Sequence, residues 1–223
     1  MVADELRDVY DNLIQFASAG QRAAALTAAR EVFIARTGEL FESDEAFERR
    51  ICAFLEWYTL DCVAPDGDTL LGAYAKSLTP QAKEEQARAL SAWQHASISL
   101  YAVAKLRPDS CVLDDLLLSQ RHTVQGGPQL VGLSTGSMLV ARVVVHDDVP
   151  QLTDGVSYFP LAARRVLLRL AKAYRKGRVP GVSRLDLLHR LIYLTNRCER
   201  YKHVDPKRIF EEGEAQVTAA SLP

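Results

Sequence analysis

The chain has 223 residues, 48% of them hydrophobic and 25% charged, with a formal net charge of −1; this is the profile of an ordinary globular protein that needs neither metal nor disulfide to build a core. No run approaches the roughly 18 apolar residues of a membrane helix, and the acidic start MVADELRDVYDNLIQ has no basic and apolar leader regions, so a soluble, cytoplasmic protein without a membrane partner is expected. Cys52, Cys62, Cys111 and Cys198 are scattered, with no Cys-x-x-Cys pair and no histidine at ligand spacing. They read as reduced, mostly buried thiols, and neither a metal site nor a cofactor is expected.

Residues 1–36 place Leu13, Phe16, Leu26, Val32 and Phe33 among alanines at helical intervals, with a break near Gly20, which predicts two helices. Phe47, Ile51, Phe54, Leu55 and Tyr58 then fall on one apolar stripe, predicting a helix capped by Ser43 that runs to about Asp61 and stops before the turn APDGD. Within FLEWYTLDCVAPDG, Glu56 and Asp61 are five residues apart and therefore roughly 140° out of phase on an α-helix, so they do not form a paired-carboxylate site. Asp66 and Asp68 flank the turn residue Gly67, and Asp68 or Thr69 caps the helix TLLGAYAKSL. A further helix starts at Thr79 and Pro80, with Trp93 as a core anchor.

From Ile98 the period becomes two. ISLYAVAKL, CVLDDLLL, RHTVQGGPQLVGL, GSMLVARVVVHDD and VPQLTDG read as short antiparallel strands of a strongly bent sheet or five-stranded barrel. MLVARVVV is its most buried strand; Arg142 inside it calls for a carboxylate, Asp114 or Asp115. HDD at 146–148 reads as a hairpin turn. The helical period returns after SYFP, with Pro160 at a helix start, Gly177 near its stop and Ser183 capping the next helix. The end EEGEAQVTAASLP is polar and small, and a frayed tail is expected.

FLEWYTLD, DGDTLLGAY, SAWQHASISLYAV, LDDLL and GSMLVARVVV together resemble a group of little-characterised bacterial proteins. In that group a Phe-x-x-Trp-Phe/Tyr-x-x-Asp helix and a Gly-x-Thr step precede a small sheet containing Gly-Asp-x-Leu-x-Ala-Arg. The resemblance spans residues 40–165 and rests on Phe54, Trp57, Tyr58, Asp61, Gly67, Thr69, Leu100, Tyr101, Asp115, Leu116, Leu117, Gly136, Leu139, Ala141 and Arg142. Ser137 replaces the usual acid. Some members carry a cysteine-rich zinc motif of the kind at the C-terminus of the preprotein-translocase ATPase; it is missing here, so no metal role carries over. The resemblance implies a structural seam between helices and sheet, made by Phe54, Trp57, Tyr58, Asp61, Gly67, Tyr101 and Arg142, with Trp93 as a further structural residue.

The charge is distributed unevenly. Between Arg164 and Lys202 twelve Lys or Arg face two acids, so this segment is +10 and the remainder −11. Either the basic helices dock on the acidic N-terminal half, or they present an anion-binding face to a partner. Arg164, Arg165, Lys172, Arg175, Lys176, Arg178 and Arg184 are the candidate partner-binding residues. Tyr174, Tyr193 and Tyr201 interleave with the cations as stacking surfaces would in a nucleic-acid binder, whereas the connection KGRVPGVS is too long for a helix-turn-helix.

The expected architecture is α+β: a helical region 1–97, a small antiparallel β module 98–158, a basic C-terminal helical pair 159–210 and a frayed tail 211–223. No pattern carries a catalytic residue, since QGGPQ lacks the ending of a phosphate loop and no Ser or Cys has a nucleophile setting. The expected function is that of a non-enzymatic interaction or adaptor protein with a protein partner, engaged through the β module or the basic helices. A nucleic-acid-binding regulator using residues 164–202 is the alternative.

Overall fold

The computed structural model describes residues 4–20, 22–64 and 67–218. Helices α1 (Asp4–Ser18) and α2 (Arg22–Thr37) meet at Gly20, whose φ of +57° suits the left-handed end of a helix. Leu6, Val9, Leu13 and Ala17 form the buried stripe of α1. Helix α3 (Phe47–Glu56) begins later than the sequence suggests, because Ser43 does not cap it: Ala46 occupies that position without a side-chain bond. Asp44 organises the turn instead. Its Oδ2 accepts from the Phe41 amide and from Arg50 Nη1, both at 3.1 Å, and Arg50 also donates to the Glu39 and Gly38 carbonyls at 2.7 Å.

The chain then widens into a π turn, Trp57–Asp61, before α4 (Leu70–Ser77). Of the two candidate caps for α4, Thr69 makes the bond: its side chain accepts from the Gly72 amide at 3.2 Å. Asp66 and Pro65 lie outside the described residues, while Gly67 has the positive φ, +87°, that its place in the turn requires. Thr79 caps α5 (Pro80–Glu85), and the helix expected to continue breaks at Gln86, where α6 (Ala87–His95) begins. Gln86 Oε1 accepts a hydrogen bond from the Tyr74 hydroxyl at 3.0 Å.

The sheet is antiparallel throughout. Strands β1 (Ser97–Leu106), β2 (Ser110–Asp115), β3 (Arg121–Gln125), β4 (Met138–His146) and β5 (Val149–Leu152) run in the order β3-β2-β1-β4-β5, and β6 (Ser157–Phe159) pairs with β4 beside β5. β3 and β5 approach each other, so the sheet nearly closes into a barrel. The strand β6 was not apparent from SYFP. Asp147 and Asp148, with φ of 48° and 61°, make the hairpin turn between β4 and β5; positive φ at both central residues is the type I′ geometry.

Alternation along the strands sorts the core. Tyr101, Val103, Leu113, Leu139, Ala141 and Leu152 fill the barrel, while Leu100, Met138 and Val140 point outward onto α7 (Arg164–Arg175), α8 (Arg184–Arg200) and α9 (Pro206–Thr218). Ser183 caps α8, its Oγ accepting from the Asp186 amide at 3.1 Å. Thr195 and Asn196 tie α8 to the Tyr158 and Thr37 carbonyls at 3.0 and 2.8 Å. The architecture is α+β, with helices before and after the sheet.

The expected frayed tail is a helix as far as Thr218, and residues 219–223 lie outside the described residues. Ile209, Phe210, Gly213 and Val217 form its buried stripe. A Cβ at Gly213 would collide with the Leu194 side chain, so this glycine lets α9 pack tightly on α8.

His189 on α8 is buried against Phe33 and Trp57, with ring centroids at 5.6 and 5.9 Å, and its Nδ1 has no hydrogen-bond partner among the described residues. Burial, and secondarily Arg36, push its pKa from 6.5 to about 4. The unfolded chain therefore takes up this proton near pH 6.5 while the folded imidazole stays neutral, so the associated stability is complete above pH 6.5 and is lost as pH falls toward 4. It amounts to about 3 kcal/mol. His189→Leu is expected to flatten the pH dependence of the urea midpoint across that window by about one proton; an unchanged slope would place the titrating group elsewhere.

Candidate functional site

Arg142 is 1% exposed on β4, a charge that must be paired where it lies. Neither acid expected from the sequence pairs with it. Asp114 bonds the surface Arg121 Nε at 2.6 Å. It lies opposite Ala102 on β1, whereas Arg142 lies opposite Ile98, about 13 Å away along the strand. Asp115 belongs to the opposite face, where it accepts from Ser99 Oγ at 2.7 Å and from the Leu117 and Leu118 amides at 2.8 Å.

The partners are Glu56 and Asp61. Asp61 Oδ2 accepts directly from Arg142 Nη2, Glu56 Oε2 stands 3.6 Å from Nε, and Nη1 donates to the Ala96 carbonyl at 3.1 Å. An α-helix would hold the two acids on different sides, but the π turn, closed by Cys62 N to Trp57 O at 2.8 Å, adds a residue to the turn and brings them to one guanidinium. The two acids, expected to lie out of phase on a regular helix, therefore share Arg142.

Glu56 is held from both ends. Oε1 accepts from the Gly155 amide at 2.8 Å and Oε2 from Thr153 Oγ1 at 2.9 Å. A Cβ at Gly155 would lie 2.7 Å from Oε1 and 2.8 Å from Ala53 Cα, so only glycine permits this approach. Burial pushes the Glu56 carboxyl up, opposed by Arg142, the Gly155 N–H and Thr153. The sequence signals only the need: a lone arginine in an apolar strand and a glutamate among the FLEWY aromatics each call for a partner.

Of the other seam residues, Phe54, Trp57, Tyr58, Trp93 and Tyr101 are buried, whereas Gly67 is exposed in its turn. Phe54, Trp57 and Tyr58 pack with Phe33, the Phe54 and Tyr58 rings stacking at 6.0 Å. Trp93 donates to the Leu6 carbonyl at 3.0 Å and stacks on Tyr10 at 4.8 Å. Tyr101 is wholly buried in the barrel, edge-on to His122 at 6.0 Å.

The basic segment divides in two. On α8 the cations are used internally: Arg190 and Arg197 lie over Tyr193 at 4.8 and 6.0 Å, and Arg200 lies over Phe41 and donates to the Glu39 carbonyl. On α7, Arg165, Arg169, Lys172 and Lys176 recur at i, i+4, i+7 and i+11, one exposed stripe. Arg169 is held by Glu214 of α9 at 2.9 and 2.5 Å, and Arg175 donates to Ser119 Oγ at 2.9 Å. Arg164, Arg165, Lys172, Lys176 and Arg178 are exposed and enter no ion pair among the described residues. Arg184 stands apart from them, half-buried at the start of α8.

Among the described residues no three His, Cys, Asp or Glu converge as metal ligands, and no helix is long and apolar enough to cross a membrane. His146 faces Glu5 Oε2 at 3.2 Å. The four cysteines are free, Cys111 buried and the others half-buried, which is less burial than their residue type suggests. Burial pushes Cys52 and Cys198 up to about 11, so both are neutral thiols at physiological pH.

A family of unknown function, DUF7986, matches residues 6–186. The chain belongs to that family. No curated protein and no solved structure matches it. The DUF7986 segment takes in the whole Glu56–Asp61–Arg142 cluster and all of α7, and it ends near the start of α8.

Proposed function

We propose that this is a non-enzymatic interaction protein of the bacterial cytoplasm that docks an acidic protein segment on the exposed face of α7. The observation that carries this reading is the exposed basic stripe, in which Arg169 is held by Glu214 while Arg165, Lys172 and Lys176 enter no ion pair among the described residues. Apolar side chains edge the same surface. Leu161, 67% exposed, precedes α7, and Leu118, 39% exposed, lies beside the Ser119 that Arg175 reaches at the other end. Cations rimming apolar anchors suit a protein segment carrying both acids and leucines.

A nucleic acid is the weaker reading. The tyrosines that would stack on bases are not on the stripe: Tyr174 packs against the core, and Tyr193 and Tyr201 belong to α8. The sheet edge offers less, because β3 and β5 nearly meet.

The test is charge reversal of Arg165, Lys172 and Lys176 to Glu. Each change is expected to move stability within about 0.5 kcal/mol. Binding of a synthetic peptide of alternating Glu-Glu-Leu blocks should weaken by about tenfold or more, chiefly through a slower association rate. Preferential binding of labelled single- or double-stranded oligonucleotides, with affinity falling steeply in salt, would replace this reading by the regulatory one. Peptide binding unchanged in the variant would overturn it.

A further inference from the structure

A cavity of about 450 Å³ opens beside Glu56, between α1, α3, α6 and the loops at 128–129 and 153–154, which is within the size range of small-molecule sites. Its walls are apolar: Ile14, Leu55 and the stacked Tyr10–Trp93 pair. Three carboxylates border it, Asp11, Glu56 and Asp154, against the single cation Arg7. Arg142 lies behind Glu56 and is already shared with Asp61.

Two groups in the lining bear on what it could hold. The Tyr10 hydroxyl is buried beside Thr59 and makes no hydrogen bond of regular geometry among the described residues. Glu56 accepts one bond at each oxygen, from Gly155 and Thr153, and a carboxylate oxygen has room for two. We propose that this cavity binds a small organic cation, an amine carried on a flat apolar body, with the ring against Tyr10 and Trp93 and the ammonium among Asp11, Glu56 and Asp154.

The local field agrees with that charge. After burial, the Glu56 carboxylate is the largest influence raising both the Tyr10 hydroxyl and the Cys52 thiol, so an anion would be repelled where a cation is welcome. Burial and Glu56 keep Cys52 a protonated thiol, so it adds no negative charge to the lining.

The experiment titrates the full chain with phenethylamine, 2-phenylethanol and 3-phenylpropionate, matched in ring and differing in the charge of the head group, and follows binding by ligand-observed NMR. Saturable binding of the amine, about tenfold or more tighter than that of the alcohol or the acid, is expected. Ile14→Trp, which fills the cavity, should abolish it. Should Ile14→Trp fail to fold, the exposed rim variant Asp11→Asn/Asp154→Asn decides instead, by losing the preference for the amine. No saturable binding, equal binding of the three probes, a preference for the acid, or amine binding that survives both the filled cavity and the neutral rim would overturn the proposal.

Discussion

Arg142→Met is expected to lower the unfolding free energy by about 3–5 kcal/mol, because removing one partner of a buried ion cluster leaves the others uncompensated. The loss falls mainly on Glu56. Its side chain is 5% exposed against 22% for Asp61, so Asp61 can turn to water while Glu56 remains fixed by Gly155 and Thr153. Without the guanidinium the folded carboxyl rises further above its unfolded value, and the folded state then holds a proton that the unfolded state gives up. Stability should therefore fall as pH rises through that window, and the deficit of the variant should narrow on acidification. Adding Glu56→Gln should restore part of the loss. The urea midpoint at constant m-value reads all three effects. A deficit below about 1 kcal/mol would mean that water already serves these groups.

Truncation after His203 is expected to unfold the protein or leave it aggregation-prone. It removes Ile209, Phe210 and Val217, which are 1%, 0% and 0% exposed, and each such side chain contributes about 1.5–3 kcal/mol by burial. That loss is comparable with the roughly 5–15 kcal/mol that holds a whole domain together. It also bares Phe159, which meets Phe210 edge-on at 5.9 Å, and Leu194 opposite Gly213. Phe210→Ala alone should cost about 3–5 kcal/mol, measured by denaturant titration. A truncated chain with the same midpoint as the full one would restore the reading of this segment as a frayed tail.

The strands and caps were legible because their signals are local. Alternation through Leu100 and Tyr101 or Leu139 and Val140 survives in the barrel, and Thr69, Thr79 and Ser183 cap the helices that follow them. The Arg142 cluster was not legible in its pairing, for two reasons. Its partners Asp61 and Glu56 lie 81 and 86 residues away, and the π turn leaves no mark in the periodicity, since Phe54, Trp57 and Tyr58 are apolar whether the turn is tight or wide. Helix α9 was missed because its stripe contains one glycine and several acids between few apolar residues. Only Leu194 on the neighbouring helix gives that glycine its meaning. The basic segment was legible as charge but not as two surfaces, because sequence spacing does not tell which cations find aromatic rings and which find water.

The docking of α1 also fixes an order of events during synthesis. The carbonyl of Leu6 waits for Trp93, 87 residues further along, and Glu5 waits for His146, 141 residues further. At roughly 5–20 residues per second on a ribosome, the apolar stripe of α1 is without its final partners for several seconds, long after it has left the exit tunnel. Its Leu6, Val9 and Leu13 are thus an uncovered stripe in the nascent chain and the floor of a core in the finished one.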